Sequence, residues 1–286
     1  MITMQAYDKE KGPIAVETGD AVRTGDVARE NVTLTRVEQR LLNLLTSDTL
    51  ITTGTLRDFN ERYNITTEGY LRRAIASLLH KNAIIQVKKG LYFVTKDGEY
   101  DHFLLGQHLF GGYLGFSTAL WLWGLKTEEP YDCYVVIPKS KGKRLIGGFH
   151  YQSVALGRRA VGSTYLKRYR VSSRAKTFFD CFLMLKYAGG ISRILPALAI
   201  AKLTDEEWRE WLGYVERIGT KSLAQRAGYI LSEAKRNGTI SVPKFIIDTL
   251  SGMSKKGIIT VLDPSKPRNG RFVKEWNLYD NIGLVK

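Results

Sequence analysis

Cysteine is nearly absent from this chain: Cys133 and Cys181 are the only two in 286 residues. Two thiols cannot build a disulfide framework or a four-cysteine zinc site, and each sits in an apolar context, as a small buried hydrophobe does. Histidine is almost as scarce. His80, His102, His108 and His150 show no ligand spacing to cysteine or carboxylate, so no metal and no other cofactor is expected. No apolar run approaches the roughly 18 residues that would suggest a membrane span. Residues 1–30 lack the basic start and apolar middle of a signal peptide. The expectation is a cytoplasmic protein without a membrane partner.

Acidic residues are missing where they would matter most. None occurs between Cys133 and Phe179, while Lys139, Lys141, Lys143, Arg144, Arg158, Arg159, Lys167, Arg168, Arg170, Arg174 and Lys176 all fall in that window. These eleven cations supply most of the formal net charge of +15. A charge of that size concerns partners rather than fold, and it favours polyanions. The window therefore reads as a polyanion surface, for DNA or for an RNA.

Catalytic signatures are also absent. Asp132 precedes an apolar strand, but no acidic-x-Lys follows to complete a nuclease metal site. Gly162-Ser163 opens no segment with the paired aspartates of a nucleotidyltransferase, since the next carboxylate is Asp180. No nucleophile-elbow glycines surround a serine or cysteine. The chain is read as a non-enzyme.

What is present is ordinary in bulk, with 44% apolar and 25% charged residues and length for about two domains. The informative stretch is Leu34 to Val94. Thr35-Arg36-Val37-Glu38 has capping-box spacing ahead of Val37, Leu41, Leu42, Leu44 and Leu45 at helical period. A second short helix carries Leu56, Phe59 and Tyr63 and ends at the polar turn Asn64-Ile65-Thr66-Thr67. A third, about Glu68 to Lys81, keeps Leu71, Ile75, Leu78 and Leu79 on one face, with Thr66, Gly69, Tyr70, Arg73, Ala76, Ser77 and His80 pointing away. Ile84 to Val87 and Leu91 to Val94 then form a hairpin with the basic tip Lys88-Lys89-Gly90. This order of elements is that of a winged helix-turn-helix, whose partner is double-stranded DNA. Candidate contacts are Thr66, Thr67, Tyr70, Arg72, Arg73 and Ser77 on the third helix and Lys88 and Lys89 at the wing tip.

The whole chain reads as α+β in three parts. Residues 1–32 form a mobile polar tail and 33–98 the winged helix-turn-helix. Residues 99–286 form a second domain, mixed α/β to about 172 and a mainly helical bundle after. In it a helix is expected over Asp101 to Phe110 and a short one capped by Ser117. Strands follow at Tyr134 to Ile137, around Tyr151 to Leu156 and around Tyr165 to Val171. Helices are expected from Ser173 to Lys186, Ile191 to Leu203, Asp205 to Arg217 and Ser222 to Arg236. Asp205-Glu206-Glu207 reads as helix capping rather than catalysis. The end, Pro264 to Lys286, reads as basic and irregular.

Several short motifs succeed one another in a telling order. Gly90-Leu91-Tyr92-Phe93-Val94 is followed by Gly115-Phe116-Ser117-Thr118-Ala119-Leu120, Trp123-Gly124-Leu125 and Pro130. Ser173-Arg174-Ala175-Lys176-Thr177-Phe178-Phe179-Asp180-Cys181, Tyr187-Ala188-Gly189-Gly190 and Gln225-Arg226-Ala227-Gly228-Tyr229-Ile230-Leu231 come later. Over roughly residues 34–235 the chain resembles the AbiEi antitoxins of type IV toxin–antitoxin systems, regulators in viral defence. The resemblance implies a winged helix that binds inverted repeats in its own promoter. It also implies a second domain that assists repression and counteracts a nucleotidyltransferase-type toxin, with no stable complex required. The basic window would then double as the toxin-antagonism surface. Arg174, Lys176 and Asp180 match a helix of that family, although Asp180 reads more simply as the partner of Arg174 or of a backbone group. The alternatives are a nucleic-acid-processing defence enzyme with an unrecognised active site and a protein-docking module.

Overall fold

The computed structural model describes residues 33–95, 99–254 and 258–284. The tail expected over residues 1–32 lies outside the described residues.

The first helix, α1 (Arg36–Leu42), begins at a complete capping box. The Thr35 hydroxyl accepts from the Glu38 amide at 3.3 Å, and the Glu38 carboxylate accepts from the Thr35 amide at 2.7 Å. Next come β1 (Leu50–Thr52), α2 (Thr53–Arg62), α3 (Glu68–His80) and the hairpin β2 (Ile84–Lys88) and β3 (Leu91–Val94). The three-residue strand β1 has no signature in the sequence. It adds to the hairpin to make an antiparallel sheet in the order β1-β3-β2. Gly90 turns the hairpin at φ +73°, a left-handed conformation that suits glycine, and its carbonyl accepts from Thr53 at 3.0 Å.

This small sheet is packed on both faces, with Leu50, Thr52, Gln86 and Lys88 left exposed. Ile84, Tyr92 and Val94 pack with Leu41, Leu56, Leu71 and Leu78 of the three helices. On the alternate positions, Ile85, Val87 and Phe93 join a second core with Phe103, Leu105 and Leu109 of α4 (His102–Phe110). Residues from Leu34 onward accordingly cluster as one compact unit.

Beyond α4, whose N-cap is Asp101, come β4 (Tyr113–Leu114), α5 (Phe116–Leu122), β5 (Asp132–Ile137), β6 (Lys143–Ile146), β7 (Phe149–Ala155), β8 (Ser163–Leu166) and β9 (Tyr169–Ser172). They form a six-stranded mixed sheet in the order β6-β7-β5-β4-β9-β8. At Gly112 a Cβ would lie 2.2 Å from the Val136 carbonyl oxygen, so the chain enters β4 only without a side chain there. Two expectations need correction. Ser117 does not cap α5: Gly115 is the N-cap and Ser117 is buried inside the helix. The segment Tyr165 to Val171 is not one strand but the turn of the β8–β9 hairpin, made at Lys167 with φ +53°.

The remainder is helical: α6 (Arg174–Leu183), α7 (Ile191–Ala201), α8 (Asp205–Ile218), α9 (Lys221–Arg236) and α10 (Lys244–Ser254). Their apolar faces enclose Phe178, Phe182, Trp208, Trp211 and Ile230 in the largest core. At the start of α8, Thr204 and Glu207 form a second capping box, so this carboxylate caps, as expected. The C-terminal stretch is not irregular. Its strands β10 (Thr260–Val261), β11 (Arg271–Val273) and β12 (Leu278–Asp280) form a small sheet in the order β10-β12-β11. Trp276 anchors it, seated so closely on α9 that a Cβ at Gly228 would meet its ring at 2.0 Å. The architecture is mixed α+β. No helix among the described residues is long and apolar enough to cross a membrane, and none of them cluster as three or more metal ligands.

Candidate nucleic-acid interface

The position of α3 is fixed by polar contacts at both ends. At its start, Asn60 spans the turn, donating from Nδ2 to the Thr66 carbonyl at 2.9 Å and accepting from the Thr66 amide at 3.0 Å. Glu68 ties α3 to α2 through Arg57 at 3.0 Å. At its far end, Lys81 donates to Glu38 on α1 at 2.6 Å. Burial alone would raise the Glu38 carboxyl. Hydrogen bonds from Lys81, Ser77 and the Thr35 backbone, with the Lys81 charge, outweigh it and bring the pKa down to about 2.

With Leu71, Ala74, Ile75 and Leu78 turned inward, α3 presents Gly69, Tyr70, Arg72, Arg73, Ala76 and His80 to solvent. Tyr70 is 44% exposed. Lys88 and Lys89 are exposed at the hairpin tip. Three of the expected contacts are weaker candidates. Ser77 is half-buried and hydrogen-bonds Glu38. Arg72 leans back to Glu68 at 3.5 Å. Thr66 is half-buried with its backbone held by Asn60. Thr67 is exposed at the N-cap of α3 and makes no side-chain capping bond.

The basic window does not form one surface. Three of its cations cap helix C-termini, where backbone carbonyls carry partial negative charge. Lys141 donates to the Phe110 carbonyl at the end of α4 at 2.7 Å. Arg159 donates to the Ile218 carbonyl at the end of α8 at 2.6 Å. Arg174 donates to the Ala201 carbonyl at the end of α7 and pairs with Glu207 at 3.0 Å. A fourth, Arg168, bridges Asp48 at 3.2 Å and Asp101, whose carboxylate also accepts from Tyr169.

Lys176 is not on the surface at all. It is fully buried, donates to the Tyr113 hydroxyl at 3.0 Å and pairs with Asp180 one turn along α6. Asp180 is therefore the partner of Lys176, not of Arg174. Burial pushes the Lys176 amine down and the Asp180 carboxyl up, the latter to about 6 despite the opposing pull of Lys176 and Tyr113. Charge balance explains the placement: either group alone in this core would be costly.

Lys139, Lys143, Arg144, Arg158, Lys167 and Arg170 remain, with no ion pair among the described residues. The sheet order divides them. Lys143 and Arg144 lie on edge strand β6, while Lys167 and Arg170 belong to the β8–β9 hairpin at the opposite edge. The Arg168 bridge also sits away from the hairpin tip. In the register of β1 and β3, Thr52 faces Leu91 beside the tip, while Asp48 bonds the Val94 carbonyl at the other end.

These features define a mixed α+β chain in which a three-helix unit shares a basic-tipped sheet with a second, larger body. The crystal structure of the RV2827C protein from Mycobacterium tuberculosis has a similar fold, with a TM-score of 0.61 over 86% of this chain and 92% of that one. At 16% sequence identity that likeness concerns the fold alone. No family profile and no curated protein matches this chain.

Proposed function

We propose that the unit from Leu34 to Val94 is a winged helix-turn-helix that binds double-stranded DNA, and that the protein represses its own promoter at inverted repeats. The observation that carries this reading is the outer face of α3. It is small, polar and basic, it is exposed to solvent as are the cations of the hairpin tip, and it lies on a helix clamped at both ends. A helix presented in this way fits a major groove, with Tyr70 and Arg73 at base edges and Lys88 and Lys89 against phosphate. The resemblance to AbiEi antitoxins supports the further reading that the protein counteracts a nucleotidyltransferase-type toxin in a defence pair. The exposed cations at the two edges of the large sheet are the residues available for that role.

The test is binding of the purified chain to its own upstream DNA, titrated against salt and an unrelated duplex. A preference of about a thousandfold or more is expected, in the range of specific regulators. Arg73→Ala should cost about 1–3 kcal/mol and relax sequence preference, while Lys88→Ala should weaken all sequences alike and lower the salt slope by about one phosphate contact. Equal affinity for both duplexes would overturn the repressor reading. Normal operator binding by the Arg73 variant would overturn its assignment.

A further inference from the structure

The face of the six-stranded sheet that turns away from α4 carries a group of polar side chains that DNA binding leaves unused. The register places Lys143 opposite Gln152, Leu145 opposite His150, Asp132 beside His150 and Tyr134 beside Gln152, all on this one face. Eighteen residues apart in sequence, Asp132 and His150 are brought together by the parallel pairing of β5 and β7: Asp132 Oδ1 lies 3.4 Å from His150 Nδ1. The other carboxylate oxygen of Asp132 accepts from the Tyr134 hydroxyl at 2.9 Å. The Gln152 amide donates to the Tyr187 hydroxyl at 3.2 Å, and the two tyrosine rings stand 5.1 Å apart. Lys186 lies over the Tyr187 ring at 4.7 Å.

Behind the tyrosines packs Phe116, buried and held at φ +55°, a left-handed backbone conformation costly for an aromatic residue. In front the face is open, and the His150 side chain is 61% exposed. The Asp132 carboxylate lies on the Nδ1 side of the ring, and His150 Nε2 has no protein partner among the described residues. Lys143 and Lys186 are exposed, and Asp132 is the sole carboxylate on β5, β6 and β7.

We propose that this face is a second ligand site, separate from α3 and the hairpin tip, and that it takes the phosphate of a nucleotide. His150 Nε2, Lys143 and Lys186 are the phosphate donors, and Asp132 is a positioning residue for the His150 ring. Two cations, an exposed imidazole beside a carboxylate, and amide and phenol groups suit a phosphate that carries a nucleoside. The phosphate could belong to a free nucleotide or to a single strand.

The test uses the full chain carrying Arg73→Ala, Lys88→Ala and Lys89→Ala, so that duplex binding through the wing cannot supply the signal. Imidazole NMR signals of His150, assigned through His150→Gln, are followed while inorganic phosphate, AMP and a uridylate oligomer are added. AMP or the oligomer should shift the His150 signals, and His150→Gln and Lys143→Ala should each weaken binding tenfold or more. Asp132→Asn should redistribute the His150 ring tautomers and weaken binding with the fold intact. Oligomer binding at least tenfold tighter than AMP assigns the site to a strand, and equal binding to free nucleotides. No shift at millimolar ligand, a response to inorganic phosphate as strong as to AMP, or unchanged affinity in His150→Gln would overturn the proposal. The DNA reading stands or falls separately, on the operator titration.

Discussion

Replacing Glu38 by Gln tests whether the clamp between α1 and α3 holds the N-terminal unit together. Glu38 is 2% exposed and accepts from Lys81 at 2.6 Å, so its charge acts in a place largely closed to water. Its carboxyl is lowered from the ordinary 4.5 to about 2, against burial, which alone would raise it. At about 1.4 kcal/mol per pKa unit the difference corresponds to about 3 kcal/mol of stability near neutral pH. The folded-state pKa is the lower one, so this contribution is complete above 4.5 and is lost as the pH falls through 2. Glutamine keeps the shape and one hydrogen bond, and a loss of about 2–3 kcal/mol at pH 7 is expected for Glu38→Gln. The gap to the unsubstituted protein should shrink by about 1 kcal/mol between pH 7 and pH 3.5. Urea unfolding followed by far-ultraviolet circular dichroism at both pH values measures it. Coincident midpoints at pH 7, or a gap that does not depend on pH, would refute the reasoning.

Three further outcomes follow from packing and charge. Lys176→Met should cost about 3–5 kcal/mol because it strands Asp180 in the core, and pairing it with Asp180→Leu should restore most of the loss; a double variant as unstable as the sum of the two single ones would contradict the pair. Gly228→Ala gains about 1 kcal/mol of helix propensity, but its methyl would sit 2.0 Å from the Trp276 ring, and overpacking of about 1–3 kcal/mol should prevail. A raised melting temperature in that variant would show that Trp276 moves aside freely. Arg168→Ala should cost about 1 kcal/mol, since the pair is half-exposed, and should speed hydrogen exchange at the Asp101 amide, which donates to Asp48 at 2.8 Å. Unchanged exchange there would remove Arg168 from the joint.

Where periodicity was strong, the elements were readable from the residues: α3, the hairpin and α6 to α9 all begin within a residue or two of their caps. The misses have local causes. Three residues, Leu50 to Thr52, carry no alternation to see, and β1 exists because β3 offers it an edge. Lys143-Arg144-Leu145-Ile146 reads only as part of the basic window, yet it is an edge strand, where charge guards against unwanted pairing. The basic window was legible as composition but not as a surface. Whether the charged ends of Lys141, Arg159 and Arg174 are engaged within the fold depends on which helix ends nearby, and those carbonyls belong to residues 27 to 59 positions away. Asp132 and His150 show no motif spacing because strand pairing, not sequence proximity, joins them.

The small sheet shared by two cores changes what a truncation can mean. Ile85, Val87 and Phe93 face α4, and burying each is worth about 1.5–3 kcal/mol. Together that is comparable with the whole net stability of about 5–15 kcal/mol typical of a domain. A fragment ending after Thr95 would turn an interior wall into an exterior one, wet on a side built to be dry. Deletion mapping would then report the collapse of a common wall as though a contact had been lost. The three-helix unit has no frontier of its own, so point substitutions, not fragments, are the instrument that can locate what α3 touches.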